Sequence, residues 1–203
     1  MPAFAPSYPH GPFRFVRREY LIITYETDPN AIRTALPEPL EPAAGALAFY
    51  EWMKMPDASA ITGGREIWGF PKKYGIPRLK VIKDTLTGTL HYDDERVAMG
   101  TMAYKQVSLA TKLDEVAKGI GKLNVNLKLL PDVDDKPKVA QLVGYNLEDI
   151  LVHGAWDGPA CLHLIPHVNC RVADLPVRRV VGGRHQIVDF VLPYGRVLYD
   201  YLG

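Results

Sequence analysis

Short apolar and β-branched runs separated by turn residues recur along most of this chain, and helical spacing surfaces in two places only. Tyr20 to Tyr25 has the apolar, β-branched character of a buried strand. Ala46 to Met55 predicts a second strand whose two sides can be told apart. Leu47, Phe49, Glu51, Met53 and Met55 share one side; Ala46, Ala48, Tyr50 and Trp52 share the other. Both sides are largely apolar, which places the strand inside a sheet. Further strands are expected over Arg78–Lys83, Leu86–Tyr92, Val97–Tyr104, Leu123–Leu130, Val139–Tyr145, Cys161–Ile165, Gln186–Leu192 and Arg196–Tyr201. A turn at Tyr92 to Glu95 and a polar loop from Pro131 to Pro137 separate some of them. One short helix is expected after Asp28, a capping residue followed by Pro29 at a first helical position, and Pro37 and Pro39 stop it. A second is expected from about Ser108 to Gly119, with Leu109, Leu113, Val116 and Ala117 in helical register. Many strands, few helices and no βαβ alternation predict a mainly β fold with peripheral helices (α+β), its antiparallel sheet closed or sandwiched. No repeat or low-complexity linker divides the chain, which reads as one domain over residues 1–203, with 1–13 an arm on the body or on another subunit.

Composition narrows the function more than the fold. The chain has 203 residues, 47% hydrophobic and 23% charged, ordinary values for a globular protein with a sizeable core. Its 24 basic and 23 acidic residues leave a net charge of +1, which makes no electrostatic case for nucleic acid or an anionic membrane as partner. No apolar run reaches the length of a membrane span, and Met1-Pro2-Ala3-Phe4 lacks the features of a secretion signal. Cys161 and Cys170 have neither metal nor redox spacing and read as buried thiols of a cytoplasmic protein. The histidines form no metal set: His163 and His167 are four apart, but Pro166 argues against a helix that would align them.

The chemistry-bearing stretch is Ile67 to Pro77, where Lys72 and Lys73 stand side by side among aromatic residues, aliphatics, Gly and Pro. Lysine normally keeps its ammonium in water among polar neighbours. Pro71 and Pro77 stiffen the segment around the pair. An amine turned into an apolar pocket loses its proton more easily, and a neighbouring ammonium adds to the effect. A neutral amine attacks ketones; a solvated pair on a turn does not. Glu51 is the second candidate. A carboxyl among large apolar side chains has a raised pKa and can exchange protons near neutrality. A strand-edge position or an arginine partner stays open on pattern alone.

Arg65 to Pro77 resembles the lysine motif of the acetoacetate decarboxylase family. Further similar blocks follow in family order: Tyr8 to Phe13, Arg18-Glu19-Tyr20, Leu36 to Glu41, Asp84 to Leu90, Met102 to Lys105, Ala155 to Pro159 and Asp174 to Val177. The resemblance implies an antiparallel β-barrel-like core flanked by helices, assembled into homo-oligomers, and a small keto acid as substrate. It also implies chemistry without metal or organic cofactor. By position, Lys72 matches the lysine that forms an imine and Lys73 the neighbour credited with lowering its pKa. Arg18 matches an arginine of the substrate pocket, where a guanidinium suits a carboxylate; a structural ion pair with Glu19 or Glu51 is the other possibility. Glu51 matches a pocket glutamate, and Phe70 is assigned to the pocket wall.

One departure is serious. Family members carry a few dozen residues between the Glu51 strand and the lysine motif, including a Thr-Glu-Ser-Gly segment with a second pocket glutamate. Here Met55 to Ala60 runs almost directly into Ile61 to Arg65. Either the chain lacks that segment or the sequence closes over residues that belong there, and the close flanking matches favour closure. A true deletion would remove a wall and an acid. Three expectations follow: decarboxylation of acetoacetate to acetone and carbon dioxide, aldol or dehydratase chemistry through the same lysine, or ligand binding without catalysis.

Overall fold

The structure, a computed structural model, describes residues 11–56, 66–67, 70–71 and 73–203, with backbone alone for 66–67 and 70–71. In chain order the elements are β1 (Phe13–Glu26), α1 (Pro29–Ala35), β2 (Leu47–Lys54), β3 (Glu66–Ile67), β4 (Phe70–Pro71), β5 (Ile76–Ile82), β6 (Thr85–Tyr92) and β7 (Glu95–Ala103). Then come β8 (Val107–Ser108), a 3-10 turn (Ala110–Lys112), α2 (Leu113–Ile120), β9 (Asn124–Pro131), β10 (Pro137–Tyr145), β11 (Glu148–Gly158), β12 (Ala160–Leu164), β13 (Arg179–Leu192) and β14 (Arg196–Asp200). Four sheets result, ordered β2-β1-β13-β11-β8, β14-β10-β9, β12-β7-β6-β5 and β3-β4, and every paired strand runs antiparallel to its neighbour. The mainly β expectation holds, with one refinement: the sheets stack without closing into a continuous barrel, so the core is barrel-like in outline only.

Alternation decides what each face of the five-stranded sheet does. Leu21, Ile23 and Tyr25 of β1 and Ala48 and Trp52 of β2 point to one side. There they pack on Leu86, Ala98, Met102 and Leu162 of the sheet β12-β7-β6-β5. Trp52 lies over a gap kept open by two glycines paired across β6 and β7, Gly88 and Gly100. A Cβ at either would fall 2.4 or 2.5 Å from the indole, so only glycine admits this ring. On the other side Phe15, Tyr20, Val152, Ala155, Val188 and Phe190 meet Val116 of α2.

Both helices start where local chemistry allows. The Asp28 carboxylate accepts a hydrogen bond from the Asn30 amide at 2.8 Å, capping α1 with Pro29 at its start. The helix expected from Ser108 begins later. Val107 and Ser108 pair with Asp157 and Trp156 at the edge of β11, and the Leu109 amide donates to the Ala155 carbonyl. Those bonds hold the chain extended, so a 3-10 turn intervenes and α2 starts at Leu113.

Candidate active site

The second face of the five-stranded sheet does not bury itself completely. Between it, α2 and the sheet β14-β10-β9 lies an open cavity of about 1630 Å³. Phe15, Arg18, Tyr20, Ile22 and Thr24 line it from β1, Phe49, Glu51 and Met53 from β2, and Arg184, Gln186 and Val188 from β13. Asn126 and Tyr145 face it from the three-stranded sheet and are joined by a 3.1 Å hydrogen bond from the Asn126 amide to the Tyr145 hydroxyl.

Strand register puts Arg18 and Glu51 on the same wall. Tyr20 pairs with Met53 and Ile22 with Glu51, so the cavity-facing residues of β1 and β2 interleave. The Arg18 side chain is nearly inaccessible, 4% exposed. Its guanidinium carbon stands 3.7 Å from the centre of the Phe15 ring, and Nη1 lies 3.1 Å from the Met53 sulfur. Glu19, one residue on, faces the opposite side, where the buried His185 ring donates to it through Nε2 at 2.9 Å. The two neighbouring charges are thus sorted to opposite faces.

Glu51 keeps accessible surface on the wall of the wide cavity, with the protein around it shielding the carboxyl in part from bulk water. That desolvation pushes its carboxyl above the ordinary carboxylate range. Burial likewise holds the Tyr20 phenol far above its ordinary value; the Arg18 guanidinium opposes the shift and the Glu51 charge adds to it. Tyr20 is therefore a neutral hydroxyl at any working pH.

Lys72 lies outside the described residues. Phe70 is in β4, whose backbone pairs with Ile67 and runs beside β9, the strand that brings Asn124 and Asn126 to the cavity. Lys73 is exposed, and its ammonium donates a short hydrogen bond to the Asn169 carbonyl, away from the lining side chains just named. The structure thus brings Arg18 and Glu51 together and sets Lys73 apart. Gln186 escapes a reading by motif, while Tyr20 belongs to the Arg18-Glu19-Tyr20 block without a role assigned to it, and alternation from Arg18 puts it on the same face. Among the described residues no cluster of three His, Cys, Asp or Glu could hold a metal, and no helix is long and apolar enough to cross a membrane.

A buried guanidinium and a carboxyl with a raised pKa on one wall of a cavity, over an antiparallel sheet, define a β protein with a polar-lined cavity. The comparisons narrow that class. The family model for acetoacetate decarboxylase (ADC) matches residues 1–60 and 57–202, and the chain belongs to the acetoacetate decarboxylase family. It is 45% identical over 235 aligned positions to the acetoacetate decarboxylase of Bordetella avium (strain 197N), covering 100% of this chain and 94% of the relative. The enzyme of that name from Burkholderia mallei (strain NCTC 10229) is 44% identical, with the same coverage. The crystal structure of acetoacetate decarboxylase from Legionella pneumophila superimposes with a TM-score of 0.90 at 36% identity, covering 100% of this chain and 93% of that one. An alignment of 235 positions against 203 residues leaves 32 positions of the relative without a counterpart. The two matched stretches meet at residues 57–60, where the sequence showed its departure.

Proposed function

We propose that this protein decarboxylates acetoacetate to acetone and carbon dioxide through an imine on Lys72. The observation that carries the reading is the cavity wall on which Arg18 and Glu51 stand together. The sequence identity to enzymes of that name supports the reaction class, a carbon–carbon lyase.

A β-keto acid releases carbon dioxide readily only if the electron pair left behind can be delocalised. In this scheme the neutral Lys72 amine attacks the ketone carbon and water leaves, giving a protonated imine. The carbon–carbon bond to the carboxylate breaks, its electrons flow into the imine, and carbon dioxide departs from an enamine. A proton returns to the terminal carbon, and water releases acetone and the amine. An ordinary lysine, pKa about 10.4, is only about 0.04% neutral at pH 7, so moving that value to neutrality multiplies the reactive fraction about a thousandfold. Acetoacetate decarboxylase is itself the standing example of such lysine activation. Desolvation supplies the larger part here and the Lys73 charge the smaller, since Lys73 reaches outward to Asn169.

Arg18 holds the substrate carboxylate and orients the ketone; Glu51, its carboxyl pushed upward by desolvation, shuttles the proton; Phe70 closes the pocket wall. The chain acts as one domain and works in the cytoplasm as a homo-oligomer. The exposed apolar strand β14, with Val197, Leu198 and Tyr199, supports a subunit contact. Carbon dioxide release from acetoacetate, compared with consumption of pyruvate plus an aldehyde, tests the reaction. Release from the first alone supports decarboxylation. Turnover of the second alone moves the protein to aldol chemistry, the second reading.

A further inference from the structure

Arg18 faces the cavity because β1 is irregular just before it. Phe15 pairs with Phe190 and Arg18 with Val188, so β1 spends three steps where β13 spends two. The extra residue is a β-bulge, and it lets Phe15 and Arg18 share a face although regular alternation would oppose them. Within it Arg17 takes φ +55°, a conformation that side-chain-bearing residues rarely adopt. A second bulge lies on the opposite flank of β13: Val152 pairs with Val188 and Gly154 with Ile187, leaving His153 as the extra residue. It brings Val152 and Ala155 to the same packed face.

One carboxylate touches both irregularities. Asp189 stands between Val188 and Phe190 on β13, so its side chain leaves the sheet away from the cavity. Its Oδ1 accepts the Arg17 backbone N–H at 2.8 Å and a hydrogen bond from His153 Nε2 at 2.7 Å. The side chain is 9% exposed. Partial burial alone would raise its carboxyl, and the Arg17 amide, the His153 ring and Arg14 together bring it below the ordinary value.

We propose that Asp189 is a positioning residue for substrate binding: its carboxylate pins the bulges of β1 and β11 and thereby fixes which face of the sheet carries Arg18. The proposal rests on the reading of Arg18 as the carboxylate-binding group. Without the acceptor at residue 189 the Arg17 amide loses its partner, the strained turn relaxes, and the register that turns Arg18 inward loosens. The reacting atoms never meet Asp189.

The test is a double-mutant cycle on acetoacetate affinity, with amide hydrogen exchange as an independent arm. Asp189→Ala weakens acetoacetate binding about fivefold or more, while Arg18→Ala with Asp189→Ala binds no worse than Arg18→Ala alone. Asp189→Asn, which keeps one acceptor oxygen, falls between the wild type and Asp189→Ala. Exchange at the Arg17 amide rises about tenfold or more in Asp189→Ala, while the Leu21 amide in the same strand is unchanged. Equal affinity in folded Asp189→Ala and wild type, or losses that multiply in the double variant, overturns the proposal. If Asp189→Ala does not fold, Asp189→Asn carries both arms, and wild-type behaviour in both overturns it. A wild type that binds no acetoacetate defeats the functional reading instead; the Arg17 amide then decides alone, and unchanged exchange there overturns the proposal.

Discussion

The two faces of the five-stranded sheet use the same strands and the same alternation, yet one is closed and the other open. On the closed face Leu21, Ile23 and Trp52 interlock with a second sheet, and glycines at 88 and 100 make room for the indole. On the open face their immediate neighbours Tyr20, Ile22, Glu51 and Met53 border the cavity with Arg18. Packed core and cavity wall are therefore separated by single steps along a strand. Substitutions on the two faces should fail in different ways.

The largest effect belongs to the closed face. Trp52→Ala removes a buried indole from a slot shaped for it and loses about 3–5 kcal/mol in denaturant unfolding, with activity falling only as the folded fraction falls. Arg18→Ala attacks the open face. Losing a charge-assisted pair with the substrate carboxylate, about 1.5–3 kcal/mol, raises KM for acetoacetate roughly tenfold to a hundredfold, and the lost packing on Phe15 and Met53 lowers the melting temperature less than Trp52→Ala does. Glu51→Gln sharpens the contrast through its sign. An acid whose folded pKa is raised weakens the fold as pH climbs from its ordinary value of 4.5 through the folded one. Glutamine cannot ionise, so the variant melts above wild type at pH 7 and level with it well below pH 4.5, while decarboxylation declines. Lys73→Gln is the smallest change: the ammonium sits at the surface on the Asn169 carbonyl, and decarboxylation rates at pH 7 stay within about tenfold of wild type. A loss near a thousandfold would instead make the charge of Lys73 the main source of the Lys72 shift.

His185 adds a pH limit on the closed side. Burial lowers its pKa from 6.5, against the hydrogen bond and charge of Glu19. A base whose folded pKa is depressed leaves stability intact above 6.5 and loses it as pH falls from there. Thermal unfolding followed from pH 8 to pH 5 checks this, and His185→Gln flattens the dependence.

Regular alternation made much of the fold legible. The strand around Glu51 shows its two faces in the sequence, although β2 is the edge of its sheet and not inside it as its apolar sides suggested. The predicted strands from β5 to β7 and from β9 to β10 fall within a residue or two of the observed ones. What stayed hidden is where alternation breaks. The strand β11 carries Asp, His and two glycines, and its bulges interrupt the period, so Glu148–Gly158 does not look like a strand. The first half of β1 is rich in arginine and contains the other bulge, so the pattern became readable only from Tyr20. Asp189 is invisible for the same reason: its partners are a backbone amide and a bulged histidine, long-range contacts that no local motif encodes. Arg18 and Glu51 could be named from sequence, but their shared wall needed the β1–β2 register.

The central claim is that a Lys72 amine stays neutral enough to condense with a ketone in a cavity guarded by Arg18. Borohydride reduction in the presence of acetoacetate, followed by peptide mapping, tests it directly. The account predicts a reduced adduct on Lys72 and none on Lys73; intact protein with no adduct on any lysine would contradict it.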